Sequence, residues 1–483
     1  MHRMIVLGVD GLNPDTVKQW LDDLPHLKKM QKEGIWGDLE STLPPAAPQA
    51  WISSQCGQNP GAYGLWDYTY RHDFSYAEAR LADSNVVDER VDRLHKTLPR
   101  RGQKVALIGV PVTWPPPEIP AGYCISDFAL TSEKPGFTWP KSLEEEVHNL
   151  IGEYLFEARE TSFSHGRRDR QRVKKRIYDM DQQRFTLLKH FIHEKKCDYV
   201  LAVFGGPKVL WRLFSQEGGR KNDWLHDYYR WMDANLGEMR SGLDDDIALL
   251  VYSPYSIGRR EGQINLNEWL IHNGDMTLHE YPKKPTAFEN LDVDWSKTKC
   301  WSMGNSGRVF VNLKGREPQG IVEYGQYDRL LDDLRERLSR IHDENGSPLQ
   351  IQTFKREEIH SGKYEEYGPD MFVHINRPQW NANELVGYGF GLTCASGQDE
   401  GLDGHWNGLY GYFCMSGSKV PARGELKQIS VLSIPPTIME VLGLEIPVDM
   451  EKPSILYMAK QEQRKSRASR KERVRSRLKA LGY

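Results

Sequence analysis

The 483-residue chain contains no apolar run approaching the roughly 18 residues a membrane-spanning helix needs, which argues against a helical membrane protein. It is poor in cysteine. Cys56, Cys124, Cys197, Cys300, Cys394 and Cys414 are scattered without a CxxC spacing, which favours reduced thiols over a disulfide framework or a zinc knuckle. Its net charge is only -3, a balance that conceals an asymmetry between a basic C-terminal tail and the residues before it. The first apolar run begins at Met4, leaving no room for a secretory signal peptide, so a cytoplasmic location is expected.

What the chain does have is enough apolar residues, 39%, for a sizeable core. Four apolar runs of strand length, Met4 to Val9, Gln103 to Pro111, Cys197 to Phe204 and Ile247 to Ser253, alternate with helical segments. That alternation predicts an α/β fold with a mostly parallel sheet and helices on both faces. The first run ends in Asp10-Gly11, which places the Asp10 carboxylate at the carboxyl edge of the sheet, where open α/β folds bind ligands. Asp10 is therefore a candidate metal ligand, the competing reading being a residue that turns the chain or caps a helix. Basic charge is concentrated in two places. Arg167 to Arg176 forms a basic run on a helical segment, and Lys460 to Tyr483 carries ten Lys or Arg against two Glu. Both fit solvated helix faces, and the tail also fits a nucleic-acid or acidic-surface contact.

The motifs between these runs carry a resemblance. Ser41-Thr42-Leu43-Pro44-Pro45-Ala46-Ala47-Pro48-Gln49-Ala50-Trp51 and Gly57-Gln58-Asn59-Pro60-Gly61, following the strand that ends at Asp10, resemble the type I phosphodiesterase and nucleotide pyrophosphatase branch of the alkaline phosphatase superfamily. The resemblance extends over almost the whole chain. It implies an alkaline-phosphatase-like single domain over residues 1–483 with cap insertions at about 138–195 and 285–400 and a basic helical tail at about 458–483. In the family, the Asp binds a metal and a Thr before the third proline is the nucleophile; here that position is Ala47. A Thr-Asp-x-x-x-His pair is matched by Gly206-Pro207-Lys208-Val209-Leu210-Trp211, so Pro207 and Trp211 stand at ligand positions. An Asp-His-Gly triplet is matched by Pro254-Tyr255-Ser256, and a last His by His405, with a longer spacing to the next strand.

The family's chemistry uses two metals, usually zinc, with about six protein ligands and a hydroxyl nucleophile. At the matched positions Asp10 and His405 remain as remnants and no catalytic nucleophile is present. The expected protein is thus a catalytically inactive family member acting as a binding, scaffold or regulatory subunit, with no cofactor. Its expected partner is a protein, such as an active paralogue or a second copy. The alternative is a hydrolase with a rebuilt site, holding two zinc or manganese ions. Ala47, Pro207, Trp211, Pro254 and Tyr255 are expected to gather around Asp10, with Trp211 and Tyr255 filling the space that metals occupy in active relatives.

Overall fold

The computed structural model describes residues 3–76, 80–127, 136–156, 167–214, 223–244, 247–376, 380–389, 391–395, 405–417, 420 and 424–465. Most of the basic tail, and with it the nucleic-acid reading, lies outside the described residues. The chain opens with β1 (Arg3–Val9), whose last six residues are buried, as expected of a strand covered on both faces. Helices α1 (Pro14–Trp20) and α2 (Pro25–Glu33) lead to β2 (Ile35–Glu40) and then to α3 (Ala47–Cys56), every residue of which is buried.

Further along come β3 (Val105–Val110), β4 (Tyr123–Ser126), β5 (Thr138–Trp139), the long helix α4 (Arg167–His193), β6 (Tyr199–Phe204), α5 (Gly206–Phe214) and α6 (Asp223–Ser241). They are followed by β7 (Ile247–Ser253), β8 (Ser256–Arg259), β9 (His405–Gly408), β10 (Tyr410–Ser416), β11 (Gly424–Ser430) and α7 (Ile434–Leu442). Nine of these strands form one sheet in the order β11-β2-β10-β7-β1-β6-β3-β4-β5. All neighbours are parallel except those of β10 and the β4–β5 pair. The fold is the mostly parallel α/β sheet that the strand pattern predicts.

One face of the sheet packs against α2, α4 and α6 through residues such as Leu27, Val173, Ile177, Phe185 and Leu225. The other packs against α3 and α7 through Trp51, Ile434 and Ile438. A separate apolar cluster lies between residues 264 and 382, around a four-stranded sheet built from segments Cys300–Ser302, Arg308–Val311, Ile351–Lys355 and Met371–Ile375. The basic run of α4 is amphipathic: Val173 and Ile177 are buried, while Lys175 pairs with Asp179 on the exposed side. Among the described residues, no helix is long and apolar enough to cross a membrane.

Candidate functional site

Val9 pairs with Phe204 and Gly8 with Tyr252, so the residues that follow β1, β6 and β7 emerge side by side at the carboxyl edge. Asp10 extends β1 by one more bond, its amide donating to the Phe204 carbonyl at 2.9 Å. The chain then turns at Gly11, where φ is +82° and an added Cβ would stand 2.5 Å from Ile257, so this position takes glycine. The turn is stitched to β7 by Ser253, whose Oγ accepts from the Gly11 and Leu12 amides at 3.1 and 3.2 Å and donates to the Tyr255 carbonyl at 2.6 Å. Ser253 thereby fixes both the strand end carrying Asp10 and the bend carrying Pro254 and Tyr255. The sequence reading gave it no role.

Asp10 is 1% exposed, and its carboxylate is surrounded by donors. The Tyr255 hydroxyl donates to Oδ1 at 2.7 Å and the Trp51 indole N–H to the same oxygen at 2.9 Å. The ammonium of Lys208 lies 2.7 Å from Oδ2. Trp51 reaches Asp10 by passing over Gly8, where an added Cβ would stand 2.4 Å from the indole ring. Burial, together with the adjacent Asp10 carboxylate, pushes the Tyr255 phenol well above its usual range, so it stays protonated and serves as a donor.

Lys208 is the third residue of α5, and the start of that helix is held by a buried ion pair. Asp181 on α4 accepts from the Gly206 amide at 2.9 Å, from Arg184 at 2.9 Å and from the Tyr228 hydroxyl. Burial raises the Asp181 carboxyl against the opposing pull of Arg184. Pro207, one residue before Lys208, lies instead in an apolar layer with Val9, Leu12, Leu27 and Tyr228. Trp211 belongs to the same apolar side, its ring edge-on to Trp224 at 5.8 Å, and among the described residues no hydrogen bond joins it to Asp10. Of the two residues expected to fill the space, Tyr255 therefore meets Asp10 through a hydrogen bond, while Trp211 serves the core. The charge beside Asp10 comes from Lys208, which motif matching passes over because it falls on a variable position between the two ligand places.

Ala47 is the first residue of α3, 7% exposed, and shares a core cluster with Trp51, Tyr252 and Tyr255. His405 begins β9, which pairs antiparallel with β8 so that His405 stands opposite Arg259 and Gly408 opposite Ser256. Measured along the strand direction, its backbone lies about 13 Å from Tyr255 at the usual rise of a strand. Its side chain lies outside the described residues.

A two-metal centre needs several carboxylate, imidazole or thiolate groups with free lone pairs converging on each ion. Around Asp10 the structure assembles an indole N–H, a phenol O–H and an ammonium, all of which donate. Among the described residues no group of three or more His, Cys, Asp or Glu side chains converges anywhere. The residues present therefore do not fit zinc or manganese at Asp10.

No curated protein matches this chain. Among solved structures, murine ectonucleotide pyrophosphatase/phosphodiesterase 5, in an inactive threonine-to-alanine form in complex with AMP, superposes with a TM-score of 0.52 at 13% identity, covering 96% of this chain and 99% of that one. The human protein of the same name gives 0.51 at 13% identity, covering 95% and 99%. At this identity the likeness shows a shared fold. The model of the type I phosphodiesterase/nucleotide pyrophosphatase family matches residues 4–401, a span that takes in the Asp10 strand, the Ala47 helix, Lys208 and the Tyr255 bend and stops just before His405. By that match the chain belongs to the type I phosphodiesterase/nucleotide pyrophosphatase family.

Proposed function

We propose that this chain is a non-catalytic member of its family, a binding or regulatory subunit in which the carboxyl edge of the sheet has been closed rather than kept for chemistry. The observation that carries this reading is the Lys208–Asp10 pair: an ammonium 2.7 Å from the one carboxylate at a matched metal position supplies, from the chain itself, the positive charge that a cation supplies in a metalloenzyme. Ala47 brings a methyl group to the position of the nucleophile, and Tyr255 is a poor substitute because its phenol is held protonated. Binding without turnover is tolerated in the wider fold, since the murine relative is inactive in its threonine-to-alanine form and still holds AMP. The expected partner is an active paralogue or a second copy, and the expected compartment is the cytoplasm; Cys56, Cys124, Cys197, Cys300 and Cys414, all buried free thiols, suit a reducing environment.

The test combines metal analysis of the purified protein with turnover of a chromogenic phosphodiester and phosphomonoester in the presence of zinc, manganese or magnesium. The proposal expects less than stoichiometric metal and no turnover above buffer. Metal-dependent turnover that disappears in Asp10→Ala would reject it and establish the alternative, a hydrolase with a rebuilt site.

A further inference from the structure

At the far side of the same sheet edge, beyond the ends of β2 and β11, lies a cavity of about 410 Å³ that includes none of the residues around Asp10. It is lined by the loop Ser41–Leu43, by Ile359 and His360, by Leu432 and Ser433 just before α7 and by the segment that carries Lys452. Among the described residues, three polar atoms of its lining residues have no protein partner: Ser41 Oγ, Thr42 Oγ1 and His360 Nδ1. Each belongs to a residue at least nine-tenths buried, and buried polar groups are ordinarily paired. Two other polar groups nearby are already engaged. Asn59 is held by Glu451, and Ser430 Oγ accepts from the Leu432 amide.

The wall is also shaped against backbone preference. Gln428 has φ +57° in a register shift where two residues of β11 face one of β2, a bulge that turns its side chain toward the cavity lining. Strained bulges of this kind recur where a strand presents a side chain to a site. Glu40 and Lys452 stand at the exposed rim, and neither forms an ion pair with the other or with any described residue. Leu43, Ile359 and Leu432 supply an apolar wall, and among the described residues no aromatic ring other than the imidazole of His360 lines the cavity. The lack of a stacking face disfavours a nucleobase or a sugar ring. One unpaired charge of each sign favours a ligand carrying both.

We propose that this cavity binds a free aliphatic α-amino acid, its ammonium toward Glu40, its carboxylate toward Lys452 and its side chain against Leu43, Ile359 and Leu432. This site is independent of the Asp10 cluster and of whether the protein is catalytic.

Calorimetric titration of the full chain with L-leucine tests it, with two truncated analogues, isoamylamine lacking the carboxylate and 4-methylpentanoate lacking the ammonium. Leucine is expected to bind, and each analogue to bind at least about fivefold more weakly, the factor that one partly exposed ion pair supplies. Glu40→Gln is expected to weaken leucine and the amine but not the acid, and Lys452→Gln to weaken leucine and the acid but not the amine. Both residues are exposed, so an unchanged melting temperature without ligand shows that the variants are folded. Absence of leucine binding at about 10 mM, the weak end of specific recognition, or equal binding of either analogue, overturns the proposal.

Discussion

Lys208 Nζ stands 2.7 Å from Asp10 Oδ2, and the two side chains are 12% and 2% exposed, so the charge at the end of β1 is balanced inside the protein by a residue from α5. Removing one member of such a pair strands the other. Lys208→Ala is expected to cost about 3 kcal/mol, the usual penalty for an uncompensated buried charge, read as a fall in the urea midpoint. Lys208→Met combined with Asp10→Asn should recover most of it, because the amide remains bonded to Trp51 and Tyr255 and no charge is left unpaired. If the double variant is no better than the single one, the pair is not what holds this edge.

Gly8→Ala tests how Trp51 comes to Asp10. The new Cβ would stand 2.4 Å from the indole, so the ring must move and its 2.9 Å bond to Asp10 must lengthen or break. Overpacking of this kind costs roughly 1–3 kcal/mol. The expected observations are a lower melting temperature and a shifted tryptophan emission, the shift absent when Trp51 is replaced by Phe in the same background.

These two residues show what the sequence displays and what it hides. The strand runs, the placement of Asp10 and the parallel sheet follow from periodicity and from the Asp-Gly end of β1, because burial on both faces leaves a continuous apolar run. Trp51 is visible within its motif, but its bond to Asp10 depends on crossing a strand at Gly8, and that crossing is a property of packing. Lys208 is the hardest to see. Neighbouring positions on a helix point about 100° apart, so Pro207 turns into the apolar layer while Lys208 turns to the carboxylate, and a motif aligned on Pro207 and Trp211 looks past it. Ser253 is equally silent, since a serine ending a strand announces nothing about the three backbone groups it ties together.

His360 makes stability depend on pH. Burial, aided by the nearby Arg356 charge, lowers its imidazole to about 3 against an ordinary value of 6.5, while Nε2 bonds the Leu43 carbonyl at 2.9 Å. With the folded value depressed, the unfolded chain takes up the proton first, so this contribution is full above pH 6.5 and is lost as pH falls toward 3. Between pH 7.5 and 5 the loss attributable to His360 is about 2 kcal/mol. His360→Gln should flatten that part of the melting-temperature profile, and an unchanged slope would contradict the assignment.

At the opposite end, Tyr255 loses its proton only well above pH 10 in the folded state, because burial and Asp10 both oppose the phenolate. The unfolded chain releases that proton from about pH 10 upward, so this contribution holds below pH 10 and declines as pH rises further. Absorbance at the phenolate band should show a slow fraction that titrates only on unfolding, smaller by one residue in Tyr255→Phe. The same variant removes a bond to a charged acceptor and should cost roughly 1.5–3 kcal/mol at neutral pH.

The last prediction concerns restoring the family's chemistry. Ala47→Thr alone supplies a hydroxyl with nothing to activate it, and groups that act as a unit gain little when repaired singly. Adding Pro207→Asp, Trp211→His, Pro254→Asp and Tyr255→His returns the residue types of the family's motifs, yet leaves Lys208 against Asp10. An ammonium at 2.7 Å repels a divalent ion at the first ligand it would need. Zinc content of the five-substitution variant is therefore expected to stay well below one equivalent and to rise when Lys208→Ala is added. Burial of Trp211 on the apolar side makes its replacement by His the costliest member of the set, so each variant is first checked for cooperative unfolding. Stoichiometric zinc in the five-substitution variant with Lys208 still present would show that the lysine does not stand in for the metal.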